Sequence, residues 1–465
     1  ARVIYSYKDK YLLTVSYRDD GSSKFKAGKQ WATFPSGAFA WRIINEPFMK
    51  RFTWLTDAKI RVGWGRTGND RVPDYATYST MNFPLTSYYS FGNELTIGGY
   101  PSGLSSEDLQ WESTAQTDVG LDLTLLNNRI SVTADYYKKI TDKLLLNADL
   151  PPTAGYGKAV KNIGKTSNEG LELALSTTNV QTKEFSWSSS INISFNRSKV
   201  LALTQNQETW ASTMGWDSFF GDPLYYAKLG QPLGQFYGYI FDGVYQYSDF
   251  NVLPNGTYLL KDDRPTNGNT RANIKPGDIK YKDLDGDKVV NANDRTFIGR
   301  GFPIHYGGFS NNFRYRNFDL NVFFQWSYGN DIYNANRQNF ENGNKSWLNQ
   351  YASFENRWTP DHTNTNIPRA AGQPGYMYST RLLEDGSYLR LKTVSLGYHL
   401  PTAWLKKVSI KSGRIYVSAQ NLVTWTKYTG SDPEVSINYS ALTPGFDYSS
   451  YPRARTMTAG LSLSF

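Results

Sequence analysis

Apolar and polar residues alternate with a period of two along much of this chain. In the final segment, 456–465, apolar residues fill every second position, and Thr, Ser or Gly fill the positions between them. The same alternation runs through 118–125, 130–136, 185–195 and 318–326. Because successive side chains of a β-strand point to opposite faces, the pattern predicts long strands with one apolar and one polar face.

About thirteen such strands are predicted, each longer than a soluble sandwich usually has and close to the ~9–11 residues that cross a bilayer at a tilt. They cover 1–8, 10–18, 37–45, 57–66, 112–126, 129–140, 166–177, 184–197, 304–316, 318–329, 387–399, 408–421 and 454–465. In a bilayer every backbone group must be paired, so membrane-crossing strands close into a barrel. A large soluble β-sandwich or a propeller is the alternative.

The connections between the predicted strands alternate between short and long. The short ones lie at 9, 46–56, 127–128, 178–183, 317 and 400–407, and the long ones at 19–36, 67–111, 141–165, 198–303, 330–386 and 422–453. Short periplasmic turns opposite long extracellular loops are typical of outer-membrane barrels, which in bacteria have an even number of strands. We therefore expect residues 1–465 to be the C-terminal portion of a larger all-β transmembrane antiparallel barrel whose first strands are absent, with 198–303 as a long extracellular loop.

Composition excludes several other classes of protein. The mean hydropathy is −0.54 and no apolar run approaches 18 residues, which excludes a bundle of transmembrane helices. There is no Cys, so no disulfide or thiolate site is expected. The net charge of +9 is dispersed without a Lys/Arg run, so we expect no nucleic-acid partner. Aromatic residues make up 15% of the chain, which is high for a soluble enzyme.

Motifs for catalysis are weak. Gly63–Gly68 fits G-x-G-x-x-G, but the Asn-Asp-Arg-Val-Pro that follows does not start the helix that a dinucleotide site needs. Neither G-x-S-x-G nor H-E-x-x-H occurs. We therefore predict that the protein is not an enzyme and needs no cofactor.

One acidic segment, 283–294, has the spacing of a calcium loop. The predicted ligands are the side chains of Asp283, Asp285, Asp287, Asn291 and Asp294 and the carbonyl of Val289. Such hard oxygen donors at alternating positions suit Ca²⁺, or Mg²⁺. Lys288 stands where the loop normally has Gly, and an acidic turn without a metal is the alternative.

Aromatic residues cluster in the predicted long loops. The candidates for contact with a substrate or with a partner protein are Trp210, Trp216, Phe219, Phe220, Tyr225, Tyr226, Tyr376 and Tyr378. Flat rings stack on sugar faces and also bury well in protein interfaces.

Several segments, in order and across the whole chain, resemble the SusC family (SusC/RagA) of TonB-dependent transporters from the outer membranes of Bacteroidetes. They are Tyr11–Phe25, Trp31–Pro35, Gly63–Asn69, Asn168–Leu173, Gly234–Tyr239, Gly277–Asp283, Asp294–Gly299, Gly386–Lys392 and Asn421–Glu434. The resemblance implies a barrel of about 22 strands with a plugged lumen.

The same resemblance implies active import of a bulky nutrient, an oligosaccharide or a peptide, driven through TonB. It also implies a SusD-like lipoprotein as a lid on the long loops, a dimer of such pairs, and contact with outer-membrane lipids. The N-terminal plug and the TonB-binding segment are expected in sequence upstream of this chain. A passive or secretion pore and a secreted β-rich glycan-binding protein are the alternatives.

Overall fold

The computed structural model describes residues 1–149, 153, 155–203, 207–345, 347–372, 377–405, 409–437 and 440–465. Within these ranges the chain forms a sheet of thirteen strands. They are β1 (Arg2–Tyr7), β2 (Tyr11–Gly21), β3 (Trp31–Arg42), β4 (Leu55–Asn69), β5 (Glu112–Leu125), β6 (Ile130–Asp142), β7 (Lys165–Gln181), β8 (Phe185–Ala202), β9 (His305–Tyr315), β10 (Phe318–Tyr328), β11 (Tyr388–His399), β12 (Ser412–Thr426) and β13 (Thr456–Ser464).

Each strand of this sheet lies beside its neighbour in sequence, in the order β1 to β13. Pairing is antiparallel from β1 to β7 and from β9 to β13. This arrangement confirms the predicted all-β, antiparallel fold class.

The chain divides into two compact units, one comprising 1–178, 194–208 and 229–231 and the other the remaining residues. The first has a small apolar core at Phe25, Val72 and Leu109. The second has larger cores in its long connections.

The apolar face of the strands is the exposed one. In β2, Leu13, Val15 and Tyr17 are exposed while Thr14 and Ser16 between them are half-buried. The same inversion recurs along β12. A soluble sheet hides its apolar face, so this pattern is that of a wall whose outer side meets lipid.

The polar face of the first unit carries charge. Arg61 donates to Asp122 at 2.8 Å and pairs with Asp135 at 2.9 Å, and Lys59 also pairs with Asp122 at 2.9 Å. All four side chains lie on neighbouring strands, β4 to β6. The predicted separation of polar and apolar faces is therefore present in three dimensions.

The short connections are tight turns. At the predicted Asn127–Asn128 turn, Leu126, Asn127 and Asn128 all have positive φ, a conformation that Asn tolerates better than most residues. Lys8 and Asp9 turn β1 into β2 in the same way.

The long connections carry short strands of their own. These are Met81–Asn82, Tyr88–Phe91, Glu94–Ile97, Tyr100–Pro101, Leu145–Asp149, Lys158–Asn162, Thr209–Ser212, Tyr225–Lys228, Gln235–Gly238, Phe241–Val244, Phe250–Val252, Tyr258–Leu260, Ile279–Tyr281, Thr296–Arg300, Asp331–Asn334, Leu383–Asp385 and Phe446–Asp447.

Helices are short throughout the described ranges. The α-helices are α1 (Asp217–Phe220), α2 (Ala335–Phe340) and α3 (Thr402–Leu405), and the 3-10 helices are Ile43–Asn45, Pro47–Arg51, Tyr247–Asp249, Ala292–Asp294, Ala352–Asn356 and Thr380–Leu382. None of them has the length and apolar character needed to cross a membrane.

The third predicted strand, 37–45, is displaced: β3 begins at Trp31 and ends at Arg42. The predicted long connection 19–36 is therefore wrong, because only residues 22–30 join β2 to β3. Pro35 explains the error. Pro lacks an N–H and usually lies outside central strands, yet here it sits within the ladder opposite Tyr17.

Candidate functional site

A buried aromatic cluster, which we call the loop core, lies in the long connections of the second unit. Its members, drawn from three connections that are far apart in sequence, are Phe220, Leu224, Tyr225, Phe236, Tyr333, Ala335, Tyr378, Leu382 and Phe446. Fixing those connections to one another requires apolar burial of this kind, since loop backbone alone supplies few contacts.

Three of the predicted contact aromatics are members of the loop core. Phe220 stacks on Tyr378 with ring centroids 3.8 Å apart and planes 5° apart. Tyr225 is 1% exposed and donates its hydroxyl to the carbonyl of Pro444 at 2.6 Å. These rings have little surface left for a substrate, and their observed role is to hold the loops together.

The other predicted aromatics are placed differently. Trp216 packs on the edge of the loop core, 4.1 Å from Tyr448 between ring centroids. Tyr226 is half-buried beside Tyr237, and Trp210 is half-buried on the strand Thr209–Ser212. Phe219 lies in α1, and Tyr376 lies outside the described residues. Contact of this set with a substrate or partner stays a prediction.

Asp217 anchors the loop core from the start of α1. Its carboxylate accepts hydrogen bonds from the amide of Met214 at 2.7 Å and from the hydroxyl of Tyr378 at 2.9 Å. Burial raises the pKa of Asp217, and these hydrogen bonds only partly offset it. Burial and the neighbouring Asp217 carboxylate together raise the pKa of the Tyr378 hydroxyl. The hydrogen bond between Asp217 and Tyr378 therefore has a structural role in the loop core.

A buried ionic network next to α2 was not foreseen from the sequence. Glu341 pairs with Arg337 at 3.0 Å and with Arg381 at 3.1 Å, and Arg337 also reaches Glu384 at 3.1 Å. Burial lowers the pKa of Arg381 to about 10, and the neighbouring Glu341 carboxylate opposes part of this effect of burial. The only sequence signal is the polar run around α2, and nothing in that run identifies its distant partner.

The predicted calcium loop brings three of its ligands together. Carboxylate oxygens of Asp283, Asp285 and Asp287 all lie within 4.8 Å of one another. Burial acts to raise the pKa of Asp283, but hydrogen bonds from the amides of Lys288 and Gly286 outweigh it, so the pKa is lowered. Three hard oxygen donors placed this close together suit a divalent cation.

The remaining predicted ligands are engaged elsewhere. Asp294 is fully buried and accepts from the amides of Leu284 and Asn291 at 2.7 and 2.8 Å. Asn291 caps the helix Ala292–Asp294 and donates its side-chain amide to the carbonyl of Val289 at 3.0 Å. Calcium binding stays a prediction, and the three aspartates are the part of the loop that fits it.

Arg390 of β11 clamps the connection between β12 and β13. It donates to Asp432 at 2.6 Å, to Glu434 at 3.0 Å and to the Thr424 hydroxyl at 2.9 Å, and its side chain is 1% exposed. Next to this clamp lies an open cavity of about 950 Å³, whose lining includes Tyr388, Glu434 and Arg453. Both Arg390 and Glu434 fall in the segments that carry the family resemblance.

Comparison with known proteins identifies the family to which this thirteen-stranded sheet belongs. Residues 1–293 match the family described as TonB dependent receptor-like, beta-barrel. The chain belongs to the TonB-dependent receptors. The resemblance read from the sequence is thereby confirmed, as is placement in the outer membrane.

Relatives among the TonB-dependent receptors extend over the whole chain. TonB-dependent receptor P3 of Formosa agariphila is 36% identical over 100% of this chain and 45% of its own length. TonB-dependent receptor SusC of Bacteroides thetaiotaomicron is 31% identical over 100% of this chain and 43% of its own length. The chain thus spans less than half the length of these relatives.

A solved structure of the same type shares the fold. The structure of the RagAB peptide transporter matches 100% of this chain and 47% of its own chain, with a TM-score of 0.81 and 26% identity. The RagAB peptide importer in an open state matches with a TM-score of 0.80 and the same identity. The thirteen strands are therefore a barrel portion of a SusC/RagA-type receptor.

Proposed function

We propose that this chain forms part of a TonB-dependent importer that moves a bulky nutrient, an oligosaccharide or an oligopeptide, across the outer membrane. The observation that carries the proposal is the match to TonB-dependent receptors along the whole chain, together with strands whose apolar face is exposed. The activity is transport and binding, not catalysis.

We propose further that the long connections face the cell exterior and receive a SusD-like surface lipoprotein as a lid, in dimers of such pairs. Support comes from the connection between β4 and β5, whose residues 75–104 we call the 75–104 segment. It contains two short antiparallel pairs, Met81–Asn82 with Tyr100–Pro101 and Tyr88–Phe91 with Glu94–Ile97.

The 75–104 segment is apolar and uncovered. Large side chains that are at least half exposed include Tyr75, Phe83, Leu85, Tyr89, Phe91 and Leu95. Glu94 is the one charged residue in its sequence. Isolated two-stranded hairpins are marginal in water, and surfaces rich in Tyr and Phe but poor in charge are typical of the buried centre of protein interfaces. A protein partner is what such a surface fits.

Uptake measurements test the transport proposal. Cells producing the full-length protein should accumulate a labelled oligopeptide or oligosaccharide mixture, and accumulation should stop when TonB is inactivated. Uptake that continues without TonB would refute active import and favour a passive pore.

Co-purification tests the lid. Replacing Tyr89, Phe91 and Leu95 by Ser should abolish recovery of a surface lipoprotein with the detergent-extracted protein, because the contact surface loses its apolar anchors. Val252→Ser with Leu253→Ser, which alters exposed residues of another connection, is the matched control and should retain it. Retention by both variants would show that the 75–104 segment is not the docking surface.

A further inference from the structure

The outward face of β4 to β6 acquires cations toward the long connections. One cross-strand row consists of Val62, Val119 and Tyr136. The next row on the same face is Trp64, Thr117 and Lys138, and the row after it is Arg66, Ala115 and Ile140. An aromatic residue followed directly by cations is what the boundary between hydrocarbon and head groups requires.

A cavity of about 240 Å³ lies at this boundary. Its lining includes Trp31 and Thr33 of β3, Arg66 of β4, Ser113 of β5, and Asp142 and Lys143 at the end of β6. Trp31 and Thr33 share the face of exposed Phe39 because they are separated from it by even steps along β3. The cavity therefore adjoins the lipid-facing side of the first unit.

Trp31 is held as a flat platform. Three atoms of its indole ring lie 3.1–3.2 Å from where a Cβ on Gly21 would be, so one ring face rests against Gly21. The side chain is nevertheless 69% exposed. A Cβ at position 21 would displace the ring by a few tenths of an ångström, and the opposite ring face is open for stacking on a sugar.

Two cations of the cavity, Arg66 and Lys143, have no anionic side-chain partner among the described residues, whereas a third, Lys29, pairs with Asp108 at 2.6 Å. The Arg66 side chain makes no hydrogen bond or ion pair with another residue of the described ranges. The Lys143 ammonium donates to the neutral Gln110 side chain at 2.7 Å. The cavity's own carboxylate, Asp142, lies 3.8 Å from Lys165. Arg66 and Lys143 are thus available to an external anion, and a planar guanidinium binds phosphate with two hydrogen bonds.

We infer that this cavity binds the phosphorylated sugar head group of lipopolysaccharide. Trp31 stacks on the sugar ring, Arg66 and Lys143 bind its phosphate, and the acyl chains run down the apolar row of Val62 and Val119. The inference depends on the proposed orientation, in which the long connections face the cell exterior, because lipopolysaccharide fills only the outer leaflet.

Native mass spectrometry of the full-length protein in detergent tests this site. The probes are lipid A with its two phosphates, dephosphorylated lipid A and phosphatidylglycerol. Lipid A should bind most tightly, and Arg66→Gln with Lys143→Gln should weaken it by about a hundredfold or more, since two charged hydrogen bonds to the phosphate are lost. Trp31→Ser should weaken both forms of lipid A and leave phosphatidylglycerol unchanged.

The control removes the same charge at the opposite end of the strands. Lys50→Gln with Arg51→Gln, in the connection between β3 and β4, should leave lipid A binding unchanged. Equal affinity for lipid A and phosphatidylglycerol, or an unchanged affinity in the Arg66/Lys143 variant, would overturn the inference. The Arg66/Lys143 variant should keep full substrate uptake. If the unaltered protein takes up no substrate, that result counts against the transport proposal and not against the lipopolysaccharide site.

Discussion

The Arg390 clamp makes the connection between β12 and β13 depend on one buried cation. Arg390→Met keeps the length of the side chain but removes the guanidinium. Asp432, which is itself buried, then loses its partner at 2.6 Å, and Glu434 loses one of its two cationic partners, the one at 3.0 Å. Breaking a buried ion pair costs about 3–5 kcal/mol because the remaining charge stays desolvated.

The matched control uses the same carboxylate from its exposed side. Arg453 pairs with Glu434 at 3.2 Å, and 44% of its side chain is exposed. Arg453→Gln should therefore cost at most about 1 kcal/mol. The two substitutions together separate the effect of burial from the effect of charge.

Hydrogen exchange of residues 427–437 in the detergent-purified protein measures both. A loss of ~3 kcal/mol corresponds to exchange faster by a factor of about one hundred, whereas the Arg453 variant should change by less than about tenfold. Replacing Asp432 by Asn in the Arg390→Met background should restore part of the protection, because the uncompensated charge is removed. Equal exchange in the two single variants would refute the reasoning from burial.

Two further predictions concern the loop core and the acidic loop. Tyr378→Phe should lower the free energy of unfolding by ~1–3 kcal/mol, because buried Asp217 loses a hydrogen-bond donor at 2.9 Å. The pKa of Asp217 is raised in the folded protein, so the carboxylate becomes protonated as the pH falls through that pKa, and the difference in unfolding free energy between the variant and the unaltered protein should shrink. A difference that does not depend on pH would contradict this reasoning. Ca²⁺ should protect residues 283–294 from proteolysis, and Asp285→Asn with Asp287→Asn should abolish this, whereas Asp262→Asn with Asp263→Asn should not. Because the pKa of Asp283 is lowered, protection should persist into mildly acidic solution. Protection unchanged in the Asp285/Asp287 variant would rule out this site.

The alternation of apolar and polar residues determined the strands by itself. Period two places Leu13, Val15 and Tyr17 on one face whatever the sheet packs against. The large apolar side chains on that face and the length of the strands suggested that this face contacts lipid. All thirteen strands were therefore predictable. Their ends were less so, since Pro35 is compatible with a ladder only in a particular pairing that the local sequence does not reveal.

The functions of the loop aromatics were decided by tertiary structure. An exposed ring that stacks on a sugar and a buried ring that packs on a neighbour have the same letter in the sequence. Phe220 and Tyr378 are separated by more than 150 residues, and only their meeting face to face makes them a core. The sequence is equally silent on the role of Asp294. Its position in the acidic segment suggested a metal ligand, but its carboxylate oxygens accept hydrogen bonds from two backbone amides.

Periodicity is a local property, so the sequence determined which side of each strand is apolar and that the chain forms a membrane-crossing sheet. Sites built from several strands are not local. Trp31, Arg66 and Lys143 come from three separate segments, and cross-strand register brings them to one cavity, with the Trp31 ring against Gly21 of a fourth segment. Register is fixed by the packing of whole strands, which is why only the folded structure decided where these residues meet.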